Sequence, residues 1–114
     1  MRYLFILLSI LMFWVTGLAT PKVVNSDYVF THLTSKDGLP HQQVETMVFD
    51  GFGRLWVGTR NGLAFYDGYS FRTFFHDPAD SGSLAHNFVI KLFCDSKQRI
   101  WVGTEKGLSL YCPD

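Results

Sequence analysis

The chain carries no net charge: ten basic residues balance ten acidic ones. No field therefore draws it towards nucleic acid or an acidic membrane surface. Cysteine is scarce, with two in 114 residues, and no Cys/His spacing suits a metal, so no metal or other cofactor is expected. No apolar run comfortably spans a hydrocarbon core roughly 30 Å thick. The longest, Leu4 to Val15, is short and interrupted at Ser9. With Met1-Arg2-Tyr3 before it and the small residues Thr16-Gly17-Leu18-Ala19 after it, it reads as a signal peptide over residues 1–19, cleaved after Ala19. An uncleaved anchor is the alternative. Either way the remainder is exported, to a bacterial periplasm, with no membrane contact beyond that segment.

Reactive constellations are missing too. The ten carboxylates fall mostly in turn-like stretches, and nothing in their spacing makes two of them converge as glycoside chemistry requires. His41 and His86 recur at equivalent places, but no Ser or Cys recurs beside them as a nucleophile. The chain is not expected to be an enzyme.

What is present is a repeat. Asp50 to Tyr66 returns as Asp95 to Tyr111, and the register holds without a gap from Leu39/Leu84 at an offset of 45 residues. A period in the forties, filled with short strand-like runs and hairpin turns, is the spacing of a β-propeller blade. Apolar residues at 47% and aromatics at 17% favour such a core and exclude disorder. The fold class expected is all-β: a partial propeller of about two four-stranded antiparallel blades, the second lacking its last strand, preceded by a signal-peptide helix.

After a polar linker over residues 20–27, the first unit occupies residues 28–77 and the incomplete second unit residues 78–114. Tyr28 to Leu33 reads as a lone strand resembling a fourth strand, able to complete a last blade. Val44 to Phe49, Leu55 to Thr59, Leu63 to Tyr66 and Tyr69 to Phe75 form the first blade. Asn61-Gly62 reads as a type I′ hairpin turn and Asp67-Gly68 as a second turn. Val89 to Cys94, Ile100 to Thr104 and Leu108 to Tyr111 follow as the second blade. Cys94 and Cys112 then end strands separated by a third, roughly 9.6 Å apart against a Cα limit of roughly 7 Å, so they are expected unpaired.

The repeated residues have structural reasons. Trp56 and Trp101 fill space between blades, burying about 150–250 Å² each. Gly58 and Gly103 mark close approach of adjacent backbones. Asp50 and Asp95 hold turn amides, and Gly62 and Gly107 supply positive φ. Tyr66 and Tyr111 end the third strands. Two blades alone would leave an apolar flank and an open strand edge, so the chain reads as the opening piece of a longer protein whose remaining blades are its partners.

The pattern Asp50-x-x-Gly53-x-Leu55-Trp56-Val57-Gly58-Thr59-x-x-Gly62-Leu63-x-x-Tyr66-Asp67-Gly68 closely resembles the two-component regulator propeller repeat. The second copy departs from it at Gln98 and at Cys112-Pro113. Repeats of WD40, kelch and sialidase Asp-box type fit less well. The resemblance implies the periplasmic sensor region of a hybrid two-component histidine kinase, often one that answers to oligosaccharides, with the kinase domain outside this chain. A propeller module of a secreted carbohydrate-active enzyme or adhesion protein is the other reading. Ligands of propellers usually meet the fourth-to-first loops and second-to-third turns. Here those carry His41, Gln42, Arg60 and Asn61 in the first unit, and His86, Asn87, Glu105 and Lys106 in the second.

Overall fold

The computed structural model describes residues 27–113. The chain divides into two units, Met1–Phe30 and Thr31–Asp114. Of the first only residues 27–30 are described, so the signal segment 1–19, its cleavage site and residues 20–26 of the linker lie outside the described residues.

The second unit is built from β-structure. A single 3-10 turn, Ser35–Asp37, opens it with a capping box in which Thr34 and Asp37 satisfy each other's free amides. Seven strands follow: β1 Val44–Phe49, β2 Leu55–Thr59, β3 Gly62–Tyr66, β4 Phe71–Phe74, β5 Val89–Cys94, β6 Ile100–Thr104 and β7 Gly107–Tyr111. They form two antiparallel sheets in sequence order, β1 to β4 and β5 to β7. The registers are copies of each other. Trp56 lies between Val48 and Phe65, and Trp101 between Phe93 and Leu110. Even the irregularity repeats, with a bulge between Val44 and Thr46 and another between Val89 and Lys91.

Four expectations need correction. Residues 27–34 form no strand, because a strand is held by a ladder partner and Tyr28–Leu33 has none among the described residues. β4 begins at Phe71, since the Asp67 carboxylate accepts from the amides of Tyr69 and Ser70 and holds both in the turn. The β2–β3 hairpin is not type I′, which needs positive φ at both central residues. Arg60 and Asn61 instead make the turn, and Gly62 alone takes φ 117° behind them. Thr59 fixes this geometry: its hydroxyl donates to the Gly62 carbonyl at 2.8 Å and accepts from the Asn61 amide at 3.1 Å. Finally, Gly58 is approached by side chains rather than backbone. A Cβ there would lie 2.4 Å from Val89 Cγ1 of the other sheet and 2.6 Å from Thr46 Cγ2.

The core lies between the sheets. Trp56, Leu63 and Phe65 from the first meet Val89, Leu92, Ile100 and Val102 from the second, and Leu84 of the β4–β5 loop joins them. Trp56 is fully buried, with its ring centroid 5.0 Å from Phe65, 5.9 Å from Phe74 and 4.7 Å from Tyr111. Strand alternation explains the choice of residues: Trp56, Gly58, Leu63 and Phe65 share one face, and Ile100 and Val102 face them. One polar contact joins the sheets directly, as the Leu92 amide donates to Thr46 Oγ1 at 3.2 Å. Cys94 and Cys112 are free thiols, with β6 lying between the ends of β5 and β7.

Candidate functional site

At one end of each blade the first hairpin turn builds a bracket around an aspartate. Asp50 Oδ1 accepts from the amides of Phe52 and Arg54, while Oδ2 accepts from Arg54 Nε at 2.7 Å and Trp56 Nε1 at 2.8 Å. Asp95 does the same with Lys97, Arg99 and Trp101, the side chains of the last two at 2.7 and 2.9 Å. A buried indole N–H needs an acceptor, and the turn aspartate is the nearest anion. Burial alone would raise the Asp50 pKa, but the hydrogen bonds from Trp56 and Arg54 outweigh it and hold the carboxyl below its ordinary value. Asp95 is held well below the usual carboxylate range, chiefly by Trp101, with Arg99 and Lys97 adding to it against an opposing desolvation effect. The Arg54 guanidinium also lies over Phe65, 4.7 Å from the ring centre. Both oxygens of each aspartate are occupied by donors of its own hairpin, so the bracket is structural. The sequence marks the aspartates as turn residues without showing their link to Trp and Arg. A signal for that link exists, since Arg54 and Arg99 share the 45-residue register.

The opposite end of the strands carries the candidate ligand loops. The structure brings several of them together. The Arg60 amide donates to the Gln43 carbonyl at 3.2 Å, and its Nε donates to Glu45 Oε1 at 2.8 Å. Its guanidinium carbon sits 5.5 Å from the Phe88 ring centre, so Arg60 reaches from the β2–β3 turn to the segment that leads into β5. The Gly62 amide donates to the Asn87 carbonyl, and Glu105 N donates to the Phe88 carbonyl at 3.0 Å.

The eight candidates then separate by what their side chains already do. His41 Nδ1 accepts from Gln43 N at 3.0 Å, and His86 Nδ1 accepts from Phe88 N at 3.1 Å. Asn87 Oδ1 accepts from His76 N at 2.7 Å. These three shape loops. Gln42, Asn61, Glu105 and Lys106 are exposed and make no side-chain hydrogen bond among the described residues. Glu45 and Phe88 were not among the candidates, yet both hold Arg60. Phe88 is marked only as the register equivalent of Gln43. Among the described residues no group of His, Cys, Asp and Glu is placed to hold a metal.

Tandem antiparallel sheets that share a register and pack face on face through a tryptophan are blades of a propeller. Residues 38–61 and 83–106 match the family model for the two component regulator propeller, and the chain carries two copies of that repeat. The relatives agree. A protein from Formosa agariphila named histidine kinase P4 is 42% identical over 64 residues, covering 56% of this chain and 5% of that protein. Two extracellular domains of putative hybrid two-component systems from B. thetaiotaomicron share the fold. One superimposes with a TM-score of 0.69 at 28% identity over 74% of this chain, and the other with 0.56 at 36% identity over 59%. This chain spans 12% and 9% of those domains.

Proposed function

We propose that the chain forms part of the ligand-sensing propeller of an exported, periplasmic hybrid two-component sensor, with other blades of the same sensor as its partners. The kinase chemistry of such a sensor belongs to other domains, and this segment contributes recognition. Support comes from the repeat itself and from the extracellular placement of the similar structures.

The loop end carrying Arg60 is the proposed ligand face, and an oligosaccharide its ligand. One observation carries this. Arg60 is fixed by Glu45 and Phe88 across two blades, with the exposed amides of Gln42 and Asn61 on the same loops. Planar amides and a guanidinium offer the fork-like donors that sugar hydroxyls accept, and an anchored side chain loses little entropy on binding. Titrating the complete sensor with an oligosaccharide panel tests it. The double variant Gln42→Ala/Arg60→Ala should weaken binding about tenfold or more, equivalent to about 1.4 kcal/mol. An unchanged titration would remove this face from consideration.

A further inference from the structure

Two histidines recur in the 45-residue register, and each uses only one of its ring nitrogens. The Gln43 amide donates to His41 Nδ1 at 3.0 Å, and the Phe88 amide donates to His86 Nδ1 at 3.1 Å. An N–H aimed at Nδ1 places the ring proton on Nε2, so each ring keeps an Nε2–H donor. Neither Nε2 has a hydrogen-bond partner among the described residues. Both therefore reach solvent, because no buried side-chain nitrogen or oxygen among those residues lacks a partner. His76 shows the opposite tautomer, its Nδ1 donating to the Leu84 carbonyl at 2.7 Å. The free Nε2–H thus belongs to the repeated loop.

Gln43 and Phe88 occupy equivalent places and do a second job. The Gln43 carbonyl accepts from the Arg60 amide, and the Phe88 ring carries the Arg60 guanidinium. One frame therefore holds both histidines and Arg60. Arg60 gives its Nε–H to Glu45 and leaves both Nη groups without a partner among the described residues. Three sets of free donors stand on one loop end. We infer that His41 and His86 bind the ligand as Nε2–H donors beside Arg60, and that the group they take is a carboxylate or sulfate on an oligosaccharide. This rests on reading the Arg60 end as the ligand face. A sugar hydroxyl brings a proton as well as lone pairs, whereas a carboxylate or sulfate brings acceptors alone and matches a donor-only frame. Glu45 offsets the charge of Arg60, so selection comes from directed hydrogen bonds rather than from a positive field.

Calorimetric titration of the complete sensor tests this with uronate- and sulfate-bearing oligosaccharides, each paired with its own neutral form, the methyl ester or the desulfated sugar. The acidic member of the binding pair should bind about tenfold tighter than its neutral form, and the pair that shows the difference identifies the group. His41→Asn/His86→Asn should remove most of that preference. Asparagine keeps an acceptor for the amide two residues on, as Asp67, Asp77 and Asp80 do here, but has no atom at the Nε2 position. A purely loop-shaping role therefore predicts no change, with the melting temperature as the check on the fold. Should the double variant unfold, the comparison of acid and neutral ligand on the wild type decides. A neutral form bound as tightly as the acid, or a folded double variant with the wild-type preference, overturns the inference. If Gln42→Ala/Arg60→Ala still weakens binding in that case, the ligand face stands and only the acidic-group assignment falls. A panel in which nothing binds, or binding indifferent to both double variants, removes the face and the inference together.

Discussion

The two blades have the same strands, the same bulge and the same aspartate bracket, yet one tryptophan is sealed and the other half-open. Trp56 is fully buried because the second sheet, Phe74 and Tyr111 close over it, whereas Trp101 keeps its hydrogen bond to Asp95 but has no sheet across its face among the described residues. Local sequence thus dictates the bracket, and the neighbouring blade dictates how much the tryptophan contributes. Each blade is half of an interface, and its stability is shared with whatever lies beside it.

Substitution at the tryptophans separates these contributions most sharply. Trp56→Ala should cost about 3–5 kcal/mol, enough to unfold the second unit, whereas the half-exposed Trp101→Ala should cost about half as much. Urea titration of dilute protein reads both, and equal costs would mean that burial between sheets is not what distinguishes the blades. The glycines should differ next. Gly58→Ala forces a methyl group against Val89 and Thr46 and should cost about 1–3 kcal/mol, while Gly103→Ala should stay within about 0.5 kcal/mol.

Most strand boundaries are legible in the amino-acid sequence. Val44–Phe49, Leu55–Thr59, Val89–Cys94 and Ile100–Thr104 agree with the sequence reading residue for residue, because apolar runs here are bounded by strong turn formers. What is not legible depends on partners distant in sequence. Nothing in Gly58 announces Val89, and Trp56 Nε1 finds Asp50 only once the β1–β2 hairpin has closed. Tyr28–Leu33 has strand composition without a strand's partner. Asn61-Gly62 has the composition of a type I′ pair, but the Thr59 hydroxyl selects a different turn from the same residues. For the candidate ligand residues, spacing locates the loops but does not say whether a side chain is free or already engaged.

Acid sharpens the comparison further. Both Asp50 and Asp95 have folded pKa values below the 3.8 of an unperturbed aspartate. Each therefore adds stability that is complete above the unfolded value and disappears as pH falls through the folded one. Thermal melting should fall as pH drops below about 4, and Asp50→Asn or Asp95→Asn should flatten that dependence. A melting curve indifferent to pH in the wild type would contradict the bracket. The smallest effect belongs to the third turn position. Gly53 has φ 80° and Gln98 φ 63°, the latter being the one positive-φ non-glycine residue among those described. Gln98→Gly removes about 1–2 kcal/mol of backbone strain but also the packing of Gln98 against Gly51, so a net gain below about 1 kcal/mol is expected from denaturation midpoints.

The hydrogen bond from Leu92 to Thr46 has a consequence for solubility. β5 is the outer strand of its sheet, and an outer strand with vacant amides is a template on which foreign strands grow. By occupying one of those amides with a side chain from the preceding sheet, Thr46 turns a potential growth point into a closed seam.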